Sequence, residues 1–73
     1  MTFTLTDETI ELYKLLKVLD LVDSGGQAKM LIQEGHVQRN GEVETRKAAK
    51  ILRGEQIQIG DVIIKVNWLL MEF

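Results

Sequence analysis

Few side chains in this sequence have a type that could do covalent, proton-transfer or metal chemistry, and their spacing argues against all three. The sole histidine, His36, follows Gly35 and precedes Val37. General acid–base work or metal binding at His36 needs partners, and no helix pattern here sets a carboxylate and a histidine at ligand spacing. A histidine beside a helix-stopping glycine reads as a surface or packing residue, and it can also stack or hydrogen-bond on a polynucleotide surface. Ser24 sits in Asp23-Ser24-Gly25-Gly26, not in the G-x-S-x-G elbow that strains and exposes a nucleophile. Its reading as a helix cap accounts for it fully. Cysteine is absent, which excludes disulfides, thiolate catalysis and cysteine-ligated zinc together. The chain is therefore expected to be no enzyme, with no cofactor and no metal.

What remains is charge, and charge suits an anionic partner. Lys14, Lys17, Lys29, Arg39, Arg46, Lys47, Lys50 and Arg53 form the basic set, and residues 45–53 carry four of these cations with no acid among them. A charge run usually solvates a surface, but a single-sign run of this density is not mixed-sign solubility decoration. Each phosphate that such a set engages adds a salt-dependent increment of affinity through counterion release. Ser24-Gly25-Gly26 followed by Gln27 adds a Gly-rich turn at a helix start, where free N–H groups and the helix dipole can hold a phosphate. It lacks the Walker spacing and its terminal Lys-Ser/Thr. A cap with a flexible turn and a contact to one backbone phosphate are both open readings, and both can hold at once.

The net charge, −2, points away from nucleic acid, but its distribution does not. Residues 1–23 set Lys14 and Lys17 against Asp7, Glu8, Glu11, Asp20 and Asp23, a balance of −3. Residues 24–53 reach +3 and residues 54–73 fall to −2. Local potential steers a ligand, and net charge is a poor proxy for it.

The elements that must position these residues are legible in outline. Thr2-Phe3-Thr4-Leu5 alternates polar and apolar, as a short edge strand does. Thr6 or Asp7 can cap a first helix, with Asp7, Glu8 and Glu11 favoured in its first turn by the dipole. This helix is expected to run to about Leu19 or Asp20. Leu12, Leu15, Leu16 and Leu19 have the i, i+3, i+4, i+7 spacing of its buried face, and Lys14 and Lys17 share an exposed side. Ser24 and Gln27 form a capping-box pattern. A second helix should span about Gly25 to Glu34, burying Ala28, Leu31 and Ile32 and exposing Lys29 and Gln33. Gly35 stops it.

Asn40-Gly41, between His36–Arg39 and Glu42–Glu44, is a strong hairpin signal, because both central residues of that turn take positive φ. Residues 45–53 read as a mostly extended connection, with a helical turn as the alternative. Gln56–Ile59 alternates, Gly60-Asp61 turns the chain and Val62–Val66 returns in a second hairpin. Trp68 and the apolar tail to Phe73 are expected to fill or seal the core; a patch for a protein partner is the other reading.

With 73 residues the chain is expected to be one domain, 1–73. A domain of this size buries only about 60% of the surface its unfolded chain exposes, which leaves room for one core and a surface site. The opening MTFTLTDETIEL has no positive charge and no long apolar run, so no signal peptide is expected. No segment approaches the roughly 20 apolar residues of a membrane span. Absence of cysteine in so small a domain favours a reducing, cytoplasmic setting.

The stretch through Leu12, Leu15, Leu16 and Leu19, Ser24, Ala28-Lys29, Leu31-Ile32, Gly35, Val37 and Asn40-Gly41 resembles the RNA-binding domain named after ribosomal small-subunit protein four. Gly54-Glu55 stands where that family often has Gly-Asp before its last strand. The resemblance spans roughly residues 10 to 59, and SGGQAKMLIQEG…NGEVETRK looks closer still to the small stand-alone bacterial members, the YbcJ-type proteins. It implies an α+β fold: two helices packed on a small, bent, antiparallel-rich sheet, with RNA bound across the helix pair. Carried over by position, Lys17, Ser24, Gly25, Gly26, Gln27 and Lys29 would face RNA, and Arg39, Arg46 and Lys47 would extend the surface. Many members have Arg early in the first helix and directly after the Ser, where this chain has Glu11 and Gly25.

The sequence reading is thus a non-catalytic, monomeric module for structured RNA, ribosomal or transfer RNA, possessing a basic surface on the helix pair and following hairpin. The ribosome or its assembly intermediates are expected partners, and the membrane is not. Lys14, Lys50 and Arg53 complete the expected contact set. The alternative is a ribosome-associated protein-interaction or assembly adaptor.

Overall fold

The computed structural model describes residues 1–68. The elements run β1 (Thr2–Leu5), β2 (Thr9–Glu11), α1 (Leu12–Val18), α2 (Gly25–Gln33), β3 (Val37–Arg39), β4 (Glu42–Val43), β5 (Lys50–Leu52), β6 (Gln56–Ile59) and β7 (Val62–Trp68). Five strands form one sheet in the order β1-β7-β6-β3-β4, and β2 pairs with β5 in a second, two-stranded sheet. The β1–β7 pair is parallel and the other pairs are antiparallel. The expected α+β class and the antiparallel-rich sheet are what the structure has.

One face of the large sheet is apolar because its strands alternate. Along β7, Ile64 and Val66 are buried while Ile63, Lys65 and Asn67 are exposed, and Ile57 of β6 sits opposite Ile64. Period-two patterning of this kind fixes register, since a one-residue slip would turn every one of these side chains to water. Leu12, Leu15 and Leu16 of α1 and Ala28 and Ile32 of α2 close over that face, together with Leu5, Val37 and Ile51. Leu19 and Leu31, expected in the core, are half-buried and pack against its rim.

Both helices stop with the same device. Asp20 (φ 62°) and Gly35 (φ 85°) take the left-handed conformation. The residues after them, Leu21 and His36, donate their N–H groups back to the carbonyls of Leu16 and Leu31, closing Schellman motifs. The expected end of α1 near Leu19 or Asp20 is correct, but its expected start is not. Residues Thr9–Glu11 are a strand, and α1 begins at Leu12 with no side-chain cap at Glu11. The reason is tertiary. The N–H groups of Leu12 and Tyr13, which a side-chain cap would otherwise satisfy, donate to the carbonyls of Ala49 (2.9 Å) and Lys47 (3.1 Å) in the connection before β5. Within residues 45–53 only β5 is strand; before it the connection, expected to be mostly extended, makes a turn at Lys47-Ala48 that is closed by the Ala49 N–H donating to the Arg46 carbonyl at 3.1 Å.

The hairpin turn at Asn40-Gly41 has both residues at positive φ, 52° and 88°, as its sequence requires. The Asn40 side chain also ties the turn to β6: its Oδ1 accepts from the Gln56 N–H at 2.9 Å and its Nδ2 donates to Glu55 at 3.0 Å. The apolar tail, from the Trp68 side chain to Phe73, lies outside the described residues.

Candidate nucleic-acid interface

The start of α2 is built as its sequence indicates, with one change. Ser24 Oγ accepts from the Gln27 N–H at 3.1 Å, while the Gln27 side chain reaches past Ser24 and accepts from the Asp23 N–H at 2.6 Å. The capping box is therefore one residue wider than expected. It fixes Gly25 and Gly26 in the first turn of α2, with Gly25 beside Tyr13 of α1.

Across from that turn lies Tyr13. Its ring is half-buried, and a Cβ added at Gly25 would stand 3.9 Å from its Cδ2. Lys29 of α2 places Nζ 4.6 Å from the ring centroid, and Lys14 places its own at 5.9 Å. Both fall within cation–π range. Tyr13, Lys14 and Lys17 of α1, Gly25 of α2 and Lys50 of β5 line an open groove of about 860 Å³ whose far wall is Asp7, Thr9, Ile10 and Glu11. The groove exists because β5 pairs with β2 and sets Lys50 opposite Glu11. Lys14 and Glu11 pair at 3.0 Å. That contact lowers the Glu11 carboxyl and raises the Lys14 ammonium, so both stay charged.

Arg39 and Arg46 belong to a second cluster. The Arg39 guanidinium donates twice to Glu55, at 2.8 Å each, and once each to Glu44 and to the Lys50 carbonyl. Its side chain is 20% exposed. Arg39 thereby ties β3 to the start of β5 and to the turn before β6. Glu44, the one buried charged residue among the described residues, accepts from Arg39 and also from Arg46 through Nε, Nη2 and the backbone N–H. The Arg46 contacts, outweighing burial, hold its carboxyl down at about 2. Arg39 likewise lowers Glu55. Arg46 remains 75% exposed and lines a shallow groove with Arg39, Ala48, Ala49 and Lys50.

The basic residues picked out from the sequence thus divide. Lys14, Lys17 and Lys50 line the groove with Tyr13 and Gly25, and Lys29 stands over the Tyr13 ring, while Ser24, Gly26 and Gln27 belong to the capped turn that carries Gly25. Lys47, exposed, is fixed through its own carbonyl to the Tyr13 N–H. Arg39 is committed to internal carboxylates, and Arg46 shares Glu44 with it while facing solvent. Arg53 follows the last residue of β5, outside both groove linings. Tyr13 was not among the expected site residues, and no local pattern marks it; it matters because α1 packs on α2. His36 lies 3.5 Å from Glu34, away from either groove. Among the described residues, no group of three or more His, Cys, Asp or Glu side chains could hold a metal ion. Nor is any of their helices long and apolar enough to cross a membrane.

Residues 3–67 match the model of the S4 domain. The chain is 42% identical over 57 residues to YbcJ of Escherichia coli (strain K12), whose name designates RNA binding; the match covers 78% of this chain and 81% of that protein. It is 36% identical over 52 residues to RlbA of Bacillus subtilis (strain 168), named for ribosome maturation, covering 71% and 73% of the two chains. The solution structure of E. coli YbcJ, described as revealing an ALFAL motif involved in RNA binding, superposes with a TM-score of 0.70 at 40% identity. That superposition covers 90% of this chain and 85% of the other.

Proposed function

This chain belongs to the S4 domain family, and on that premise we propose that it binds structured RNA without chemistry, through the face where α1, α2 and β5 meet. The observation that carries the reading is that Lys14, Lys17 and Lys50 line one groove with Tyr13, over whose ring Lys29 stands, in a chain whose net charge is −2. Folded RNA is read by shape and by backbone contacts, which suits ammonium groups on helix and strand backbones held rigid by a shared core. The RNA-binding designation of YbcJ and the ribosome-maturation name of RlbA favour ribosomal RNA as the ligand, with transfer RNA next. The name of RlbA also favours an assembling ribosome as the setting, and a monomer acting in the cytoplasm completes the reading. Ser24, Gly26 and Gln27 contribute the turn that backs the groove. Lys47 and Arg46 extend the surface toward the hairpin.

The test is affinity for a ribosomal RNA hairpin as a function of salt. Four phosphate contacts give a decrease of about a hundredfold between roughly 50 and 200 mM salt. Lys17→Gln combined with Lys50→Gln should sharply weaken that binding while leaving the melting temperature nearly unchanged, since both side chains are exposed and no like charge is set opposite Glu11. Undiminished affinity in the double variant would refute this face, and salt-insensitive association would point to a protein contact instead.

A further inference from the structure

The groove beside Tyr13 has a chemistry that a track for phosphates does not need. Its far wall carries the carboxylates of Asp7 and of Glu11, the latter paired with Lys14 at 3.0 Å, an acidic edge that a run of phosphates does not call for. Its lining includes the Tyr13 ring and Lys14, whose ammonium lies 5.9 Å from the ring centroid, while Lys29, outside the lining, places its own at 4.6 Å. Its volume, about 860 Å³, falls in the range of small-ligand sites, about 300–1,000 Å³. A ring to stack on, carboxylates to accept from exocyclic amino groups, and ammonium groups to meet the attached phosphate are the parts of a nucleobase site.

Resting on the RNA reading above, we propose that this groove takes one unpaired nucleotide of a folded RNA, a bulged or loop base laid against Tyr13, so that the domain selects helices interrupted by an extruded base over continuous ones. Gly25 keeps the groove open. A Cβ there would make ordinary contact with Tyr13 at 3.9 Å, so a larger side chain fits the backbone but projects into the space the base would occupy. The two modes make opposite predictions for Gly25→Arg. If the face only tracks backbone, an added guanidinium tightens binding of every RNA. If the groove holds a base, the same substitution weakens binding of the RNA that supplies one.

The experiment compares two RNA hairpins of the same stem, one fully paired and one with a single-nucleotide bulge carrying 2-aminopurine, at about 50 mM salt. Stacking of one base on an aromatic side chain is worth about 5- to 150-fold. The wild-type protein should prefer the bulged hairpin by about tenfold and change the 2-aminopurine fluorescence on binding. Gly25→Arg and Tyr13→Leu should each bring the preference close to one. Gly25→Arg leaves the core untouched, so its result stands even if Tyr13→Leu unfolds. Equal wild-type affinity for both hairpins, or Gly25→Arg tightening both alike, would overturn the base site while leaving RNA binding in place. Binding to neither hairpin would overturn the RNA reading and this inference with it.

Discussion

Replacing Glu44 by Gln keeps the shape of the side chain and removes its charge, which makes it a clean probe of the arginine cluster. In the folded protein the carboxylate accepts four hydrogen bonds, from Arg39 Nη1 at 3.3 Å and from Arg46 Nε, Nη2 and N at 2.9, 3.0 and 3.1 Å. Its carboxyl is lowered from 4.5 to about 2. That difference sets an upper bound of about 3 kcal/mol on the stability the charge contributes at neutral pH. Arg46 is 75% exposed, so water screens part of the attraction, and Arg39 keeps its two bonds to Glu55. A loss of about 2 kcal/mol is the expected value at pH 7, which for a domain of this size lowers the melting temperature by about 8–16 °C.

The sign of the pH dependence follows from the direction of the shift. A carboxyl lowered on folding contributes stability that is complete above its unfolded value, here 4.5, and is lost as pH falls toward about 2. Glu55 is lowered as well, but it titrates in both proteins and cancels in the difference. Urea unfolding of wild type and Glu44→Gln at pH 7, 4 and 2.5 therefore checks the argument directly. The gap should be full at pH 7, reduced at pH 4 and mostly gone at pH 2.5. A gap below about 0.5 kcal/mol at pH 7, or one that does not change with pH, would refute the charge-based account of this cluster.

The Asn40-Gly41 turn separates backbone from side-chain effects: Asn40→Gly keeps the positive φ and loses the bonds to Glu55 and Gln56, whereas Asn40→Val loses both. Chemical denaturation should rank wild type above Asn40→Gly and that above Asn40→Val, the last pair differing by about 1–2 kcal/mol. Asp20 closes α1 in a left-handed conformation and sets an anion at the negative end of the helix dipole. Asp20→Gly is expected to stabilise the domain by about 0.5–1 kcal/mol, read as a higher melting temperature; a lower one would mean that Asp20 has a bond worth more than its strain.

Hairpins and helix ends were the legible parts of the fold, because each rests on a few adjacent residues. Asn40-Gly41, Ser24 with Gln27, and Gly35 carry their conformations locally, and the alternation through Gln56–Val66 announces both strand and facing. The start of α1 was not legible for the opposite reason. Asp7, Glu8 and Glu11 look like the acidic first turn of a helix, yet that segment is drawn into a strand by β5, and the first N–H groups of α1 are met by carbonyls of Lys47 and Ala49. No periodicity within Thr9–Glu11 encodes that partner. At the candidate site, composition identified the cations but not their allegiance. Arg39 and Lys29 are both basic residues at plausible spacing. One is bound by Glu55 and Glu44 and the other stands over Tyr13, and only the packing of β3 on β6 and of α2 on α1 decides which is which.

The segment from Glu44 to Lys50 joins these two observations, because its backbone and its side chains serve different ends. Its carbonyls at Lys47 and Ala49 satisfy the start of α1, and so hold Tyr13 against Gly25. Its Glu44 gathers the half-buried Arg39 and the exposed Arg46 on one carboxylate. What it leaves lining the groove is Lys50. Burying a carboxylate among arginines has a desolvation cost, so the arrangement is not explained by stability alone; replacing the cluster with apolar residues would hold the strands together as well. It is explained if the connection must keep one geometry, because a shift in residues 45–49 would move the first turn of α1 and the groove together. The arginine cluster therefore acts on the proposed RNA face by fixing the backbone on which Tyr13 and Lys50 stand, and a chain with a net charge of −2 can present lysines at one groove because the Glu44 carboxylate is engaged by Arg39 and Arg46 instead.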